Sequence, residues 1–402
     1  MRARRHCKWW FMGLALQPLV SSADDGTLKL TAELSSEARW YVQDAAWPEQ
    51  SADEVGVSFS LLPELYYAWN RDTSVTVRPF ARWDSIDDER SHVDLRELML
   101  QHRFGNFDLR AGVGRVFWGV TESVHLVDIV NQTDLVENPD GEDKLGQPML
   151  SLAWTTDYGS FTGYVLPYFR ERTLPGPDAR LRAPLPVAID DAVYESSEEE
   201  KHVDAAVRWS LSTSLLDIGV SHFSGTARDP RFEIAPTPAG AVLVPVYDQI
   251  EQTGLDLNVV TGGWIWKLEA IHQTNRIEDF TAAAGGFEYT FSAPFGTGWD
   301  VGALAEYLWD ERGSDSPSPF QRDLFVGTRI AANDVAGTEL LAGAIIDTER
   351  GGAFGNIEAS RRIGSGGKLV VEMRLFMDAD ENDPLYFFRR DDYLQLEYIR
   401  YF

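Results

Sequence analysis

Basic side chains recur at alternate positions of short, otherwise apolar-patterned segments: Lys29, Arg78, Arg82, Arg110, Arg208, Lys267, Arg329, Arg362, Lys368 and Arg374. Carboxylates share that alternation at Glu33, Asp94, Asp204, Asp256, Glu269, Glu288, Glu306, Glu358 and Glu372. Charges of both signs on one face of a set of strands can do two things. They can hold a wall in shape as cross-strand ion pairs, or they can form a ladder of arginines along which an anionic solute moves. The two uses can coexist. A second group, Glu122, His125 and Asp128, lies in the segment 114–149. His125 and Asp128 are three apart, but no nucleophile accompanies them.

Other chemistry finds little support. The chain has no Gly-x-Ser-x-Gly, His-Glu-x-x-His or phosphate-loop pattern. His92, His102, His202, His222 and His272 are scattered, which predicts no zinc site. Asp378, Asp380 and Asn382 begin like a calcium loop, yet Asp383 stands where glycine is required and Arg389 where the closing glutamate belongs. The expectation is a non-enzymatic chain with no cofactor and no organised metal site. Arg78, Arg82, Arg110, Arg208, Arg329 and Arg374, with Glu122, His125 and Asp128, are its candidate lining or constriction residues.

What must position them is a set of strands. After residue 23 no run of about 18 apolar residues occurs, so there is no helical span. "TLKLTAEL" sets Leu28, Leu30, Ala32 and Leu34 against Lys29, Thr31 and Glu33; "KLVVEMRLFM" sets Leu369, Val371, Met373, Leu375 and Met377 against Lys368, Glu372 and Arg374. Such alternation belongs to strands with one apolar and one wet face. Eighteen of them fit between 27–42 and 393–402, or 16 if a pair merges. Their connections alternate between tight turns ("NRD", "GN", "YG", "TGG") and long polar stretches, 119–147, 172–200 and 225–246 among them. Even parity with that rhythm predicts a closed antiparallel transmembrane β-barrel. A soluble propeller would show a repeat of 40 to 50 residues, and none is found. Trp40, Trp83, Trp118 and Trp309 lie near strand ends, where a barrel places its interfacial girdles.

The ends of the chain agree. "MRARRHCKWWFMGLALQPLVSSA" has a basic head, a short apolar core and a small-x-small site, the pattern of a secretory signal peptide over 1–23. The barrel then spans 24–402. Cys7, the only cysteine, falls in the leader, so the exported chain would have no disulfide. A formal net charge of −27, more negative still without the leader's four cations, argues against nucleic acid as a partner. The hydrophobic content of 44% rules out a disordered acidic chain.

The C-terminal "YLQLEYIRYF", ending in Phe402, resembles the terminal strand of Gram-negative outer-membrane barrels, read by the barrel-assembly machinery. Arg400 departs from that pattern by standing where an apolar residue is usual. The segment 114–149, with "GRVFWG" leading into a long loop, resembles channel-forming, porin-like outer-membrane proteins in which the loop enters the barrel. Val124, Val127, Ile129, Val130 and Leu135 recur at near-helical spacing, which predicts a partly helical loop folded into the lumen; an external helix capping the barrel is the alternative. Arg78, Arg82 and Arg110 are expected to face that loop. The resemblance implies a monomeric or homo-oligomeric channel for small hydrophilic solutes, anionic ones included. It also implies a place in the cell outer membrane, among lipids and lipopolysaccharide. A plugged surface-binding barrel or adhesin is the second reading and a barrel hydrolase the third.

Overall fold

In the computed structural model, residues 19–23, 26–238 and 240–402 are described, with side chains from 26 onward. The expected signal peptide lies mostly outside these residues; the backbone of Leu19–Ala23 pairs antiparallel with Gly26 to Leu30. Eighteen strands form the barrel: β1 (Gly26–Tyr41), β2 (Val55–Ala68), β3 (Thr73–Asp84), β4 (Val93–Phe104), β5 (Phe107–Gly114), β6 (Gln147–Thr156), β7 (Gly159–Leu166), β8 (Asp204–Ser212) and β9 (Leu216–Thr226). The second half comprises β10 (Gln249–Thr261), β11 (Trp264–Asn275), β12 (Asp279–Ser292), β13 (Asp300–Asp310), β14 (Arg322–Ala331), β15 (Glu339–Asp347), β16 (Ala353–Ile363), β17 (Gly367–Met377) and β18 (Tyr393–Tyr401). Each pairs with its sequence neighbours, and β1 closes on β18 with Glu33 opposite Tyr401 and Tyr41 opposite Tyr393. Closure leaves no sheet edge in the ring, which is why the chain can end on a strand. Phe402 is tied down as well, its N–H donating to Ala32 O at 2.9 Å.

The two faces separate as the alternation predicts. On β1, Ser35, Glu37 and Arg39 are buried toward the lumen while Leu34 and Trp40 are exposed outward. Arg400 is on the outer face, its guanidinium 5.6 Å from the Phe402 ring, so the departure from the terminal pattern is accommodated at the barrel rim. One irregularity matters for the lumen. The β3–β4 register shifts at Arg78/Pro79, where Arg78 opposes Glu97 and Pro79 opposes Leu95. Pro79 has no N–H to give the ladder, so the strand tolerates it only at a bulge. The residue skipped by the pairing is Arg96, which turns inward.

Long connections gather at one end of the barrel and tight turns at the other. The stretch expected as a plain loop at 225–246 instead holds a hairpin, Arg231–Thr237 with Gly240–Tyr247, joined in parallel by Val193–Tyr194. It stands beyond the barrel end with Ile234 exposed.

The faces can be tested by charge insertion. Val371→Arg, on the outer face of β17, should cost roughly 2–4 kcal/mol near mid-bilayer. Ser360→Arg, facing the lumen from β16, should cost much less in urea refolding from lipid vesicles. Glu372, inward on the same strand as Val371, is not a mild control: it accepts from Tyr393 Oη at 2.6 Å and lies 3.4 Å from Arg374 Nε.

Candidate functional site: the lumen and its inward loop

The loop from β5 to β6, residues 115–146, folds into the lumen in two lobes. The first lobe, around 117–128, is held by two carboxylates of the opposite wall. Glu269, fully buried on β11, accepts from Val120 N (2.7 Å), Thr121 N (3.0 Å), Thr121 Oγ1 (2.8 Å) and Val127 N (3.2 Å). Glu306 on β13 accepts from Glu122 N (2.9 Å), Ser123 N (2.9 Å) and Ser123 Oγ (2.7 Å). The Glu122 carboxylate in turn meets Arg329 at 2.6 Å and Lys267 at 3.5 Å.

The second lobe, around 134–142, reaches β1, β3, β4 and β17. Arg82 holds Glu137 at 2.8 Å and Arg96 holds Asp134 at 2.6 Å. Arg374 holds Asp140 at 2.8 Å. Backbone carbonyls are met by arginines: Arg90 Nε donates to Val136 O at 2.8 Å, and Arg228 to Val130 O at 3.0 Å from its terminal nitrogen. Between the lobes, Lys144 meets Asp128 at 3.2 Å and His125 meets Glu142 at 3.5 Å.

The inward fold is as the apolar stripe predicts, but the expected helix is absent: no residue of 115–146 is helical. The reason is visible in the bonds above. A helix satisfies its N–H groups within itself; here wall carboxylates take them, and the chain turns to follow the wall. The stripe still buries. Val127 and Val130 are fully enclosed in a cluster with Met149, Leu166, Phe223 and Ile271, while Val124 and Leu126 pack against Leu304, Leu308, Phe325 and Ile345.

The nine candidate residues divide by role. Arg82 and Arg374 are buried struts under the loop. Asp128 is buried too, taking Trp118 N at 3.1 Å and Lys144; it does not pair with His125. Arg208 joins Asp256 at 2.7 Å. Only Arg82 of the expected arginine trio touches the loop. Arg78 pairs with Glu64 at 3.3 Å and Arg110 with Asp108 at 3.5 Å, and among the described residues neither makes an ion pair or hydrogen bond to 115–146. Arg329, 43% exposed at its side chain, faces the lumen beside Glu122.

Several residues that matter escaped the alternation. Arg90 sits in a connection, outside any strand, so no pattern flags it; Arg96 was hidden by the bulge, for which Pro79 was the available signal. His92, Asp134 and Glu137 bring three possible ligand atoms within 4.8 Å of one another. Arg96 and Arg82 already occupy those carboxylates, and two guanidinium groups would repel a cation, so the set is an ion-pair cluster.

His125 is the loop's titratable pin. Burial alone would lower its pKa, but Glu142 at 3.5 Å and Glu269 at 3.8 Å outweigh that and push it up to about 9.

No protein-family profile and no curated protein matches the chain. Solved structures do. It is similar to a BenF-like porin from Pseudomonas fluorescens Pf-5 at 10% identity, covering 94% of this chain and 98% of that one, with a TM-score of 0.54. OccAB1 of Acinetobacter baumannii gives 9% identity, 94% and 96% coverage and 0.54. OccK3 (OpdO) of Pseudomonas aeruginosa gives 11%, 93% and 95%, and 0.51. The fold is that of the outer-membrane porins. In a porin-type barrel the tight-turn end is periplasmic and the long-loop end extracellular.

Two outcomes follow for the loop of this porin-type barrel. Glu269→Ala would leave the donors of Val120, Thr121 and Val127 without acceptors, at about 1–3 kcal/mol for each buried group; limited proteolysis should then cut 117–128, which the wild type protects. For His125 the raised pKa fixes the sign. Its stabilisation is complete below its unfolded value of about 6.5 and is lost as pH rises through about 9. Thermal stability of the wild type should therefore fall between these pH values more than that of His125→Gln.

Proposed function

We propose that the chain is an outer-membrane channel for small hydrophilic solutes, narrowed by the loop 115–146, and that its lumen favours anionic ones. The observation that carries the preference is Arg115. It lies exposed at the start of the loop, and among the described residues it makes no ion pair or hydrogen bond. Arg78 and Arg110 lie near the same carboxylate, Glu97, but they are already paired with Glu64 and Asp108, so Arg115 is the guanidinium left to face a solute beneath the loop. Charge of one sign bordering a narrow, low-dielectric passage selects the counter-charge. The hydroxyls of Thr121 and Ser123 donate to Glu269 and Glu306, but both carboxylates are also claimed by loop N–H groups, an arrangement that anchors the loop and favours passage over chemistry. The proposed partners are the membrane lipids, the barrel-assembly machinery through Phe402, and further copies of the chain.

The second reading, a plugged surface-binding barrel, is favoured by the way the extracellular loops interlock. Arg180 and Asp391, both fully buried, pair at 2.9 Å across two different loops, with Gln50 from a third beside them.

Planar-bilayer recording separates these. A channel should conduct, and removal of 117–142 should raise its conductance several-fold. Reversal potentials in a salt gradient should show an anion preference that falls when Arg78, Arg110 and Arg115 are all replaced by Ala. A folded barrel that carries no current with or without the loop overturns the channel reading. A current whose ion preference ignores the three arginines overturns the anionic part alone.

A further inference from the structure

We infer that the extracellular mouth carries a binding strip for the flat ring of a solute, built from Phe320, Phe354, Phe376 and Phe388. The inference rests on the channel reading and adds a chemical class of solute to it.

The four rings come from four separate elements: the loop before β14, β16, β17, and the loop before β18. Their centroids follow one another at 6.2, 5.4 and 5.4 Å, with interplanar angles of 43°, 46° and 33°. Phe354 and Phe376 oppose each other across the β16–β17 ladder. Both share the inward parity of Asn356, Glu358, Glu372 and Arg374, so they face the lumen. Phe376 is buried, whereas Phe320, Phe354 and Phe388 each keep part of their surface in water.

The surroundings make this placement unusual. Loop residues near the rings in sequence are charged, Asp378, Asp380, Glu381 and Asp383 with Arg389 and Arg390, and the aromatic surface that three of the rings leave in water is costly to maintain there. At its inner end the strip abuts the cluster of Leu308, Phe325 and Ile345 against which Val124 and Leu126 of the inward loop dock. Phe354 opposes Ile345 on β15, and Ile345 opposes Phe325 on β14, so the row runs from strand to strand along the wall to the cluster on which the inward loop docks. On its lower side it stops at a polar step, where Arg374 meets Glu358 at 2.9 Å. A planar ring can pass from one phenylalanine to the next in tilted or offset contact without returning fully to water. A solute lacking a ring gains nothing from the row.

The test uses two neutral probes with the same sugar, phenyl β-glucoside and methyl β-glucoside, so that ion preference does not enter. In planar bilayers the phenyl compound should block the ionic current of the full-length barrel at clearly lower concentration than the methyl one. Phe354→Leu keeps apolar volume but removes a ring; it should raise the half-blocking concentration of the phenyl compound about twofold to tenfold and leave that of the methyl compound unchanged. Phe388→Leu, in the loop before β18, should act in the same direction and serves if the β16 variant fails to fold. Equal block by both glucosides, or a leucine variant that shifts both or neither, overturns the inference and leaves the rings as packing for the loops. If the barrel carries no current, the channel reading fails. Calorimetric titration of the same two probes then decides the strip by the same comparison.

Discussion

A loop inside a barrel lumen has a problem that a strand does not: its backbone donors and acceptors have no ladder, and every unmet buried group is expensive. The wall of this barrel solves it with charge. Glu269 and Glu306 gather five backbone N–H groups and two hydroxyls of the first lobe. On the other side, Arg90 and Arg228 take loop carbonyls. The apolar stripe supplies the drive to fold inward, but carboxylate and guanidinium groups decide where each lobe stops.

Those same charges would be unstable alone. Removing an ion from water costs several kcal/mol after relaxation, and a pair repays it only when the remaining hydrogen-bonding capacity is also met. The lumen meets it by sharing. Glu37 on β1 receives Arg82 at 3.1 Å and Arg90 at 2.8 Å, Arg90 also holds Asp84 at 2.7 Å, and Arg82 goes on to Glu137 of the loop. One network therefore joins β1, β3, the following connection and the second lobe. This is why Arg82 reads as structural even though its sequence pattern matches that of a lining residue. A guanidinium held by two carboxylates cannot serve a passing anion without releasing one of them.

The barrel was legible because its signal is repeated eighteen times: a period of two, turn chemistry and even parity all point to one closed sheet. Strand faces were legible for the same reason, since a one-residue slip would have exchanged every side chain. The helix expected from the Val124–Leu135 stripe was a different kind of inference. Near-helical spacing marks which residues share a dry side; in a short segment whose donors are claimed by outside acceptors it does not fix the backbone. Roles within the lumen were less legible still. Parity places Arg78, Arg82 and Arg110 on one face, but whether each meets a wall carboxylate, a loop carboxylate or water depends on height along the barrel and on the loop's path. Arg90, Arg96 and Arg115 lie in a connection, at a bulge and just past a strand, where period-two reasoning has nothing to say.

The division of charge by height has a consequence for any solute path. Above and at the loop, the most water-exposed groups are acidic: Glu142 has a side chain 64% exposed beside His125, and Asp229 one 78% exposed beside Arg172. Beneath the loop, Arg78 and Arg110 are paired with Glu64 and Asp108, and Arg115 stands near Glu97 with no ion pair of its own among the described residues. Bulk charge of the chain therefore says little about preference at the narrow place, because acidic loops facing open water are screened within about 8–10 Å at ordinary ionic strength. Groups bordering a confined lumen are screened much less. A strongly acidic chain and an anion-preferring passage are thus compatible, provided the exposed carboxylates occupy the mouth and a guanidinium without a partner, that of Arg115, lies where the lumen is drawn in.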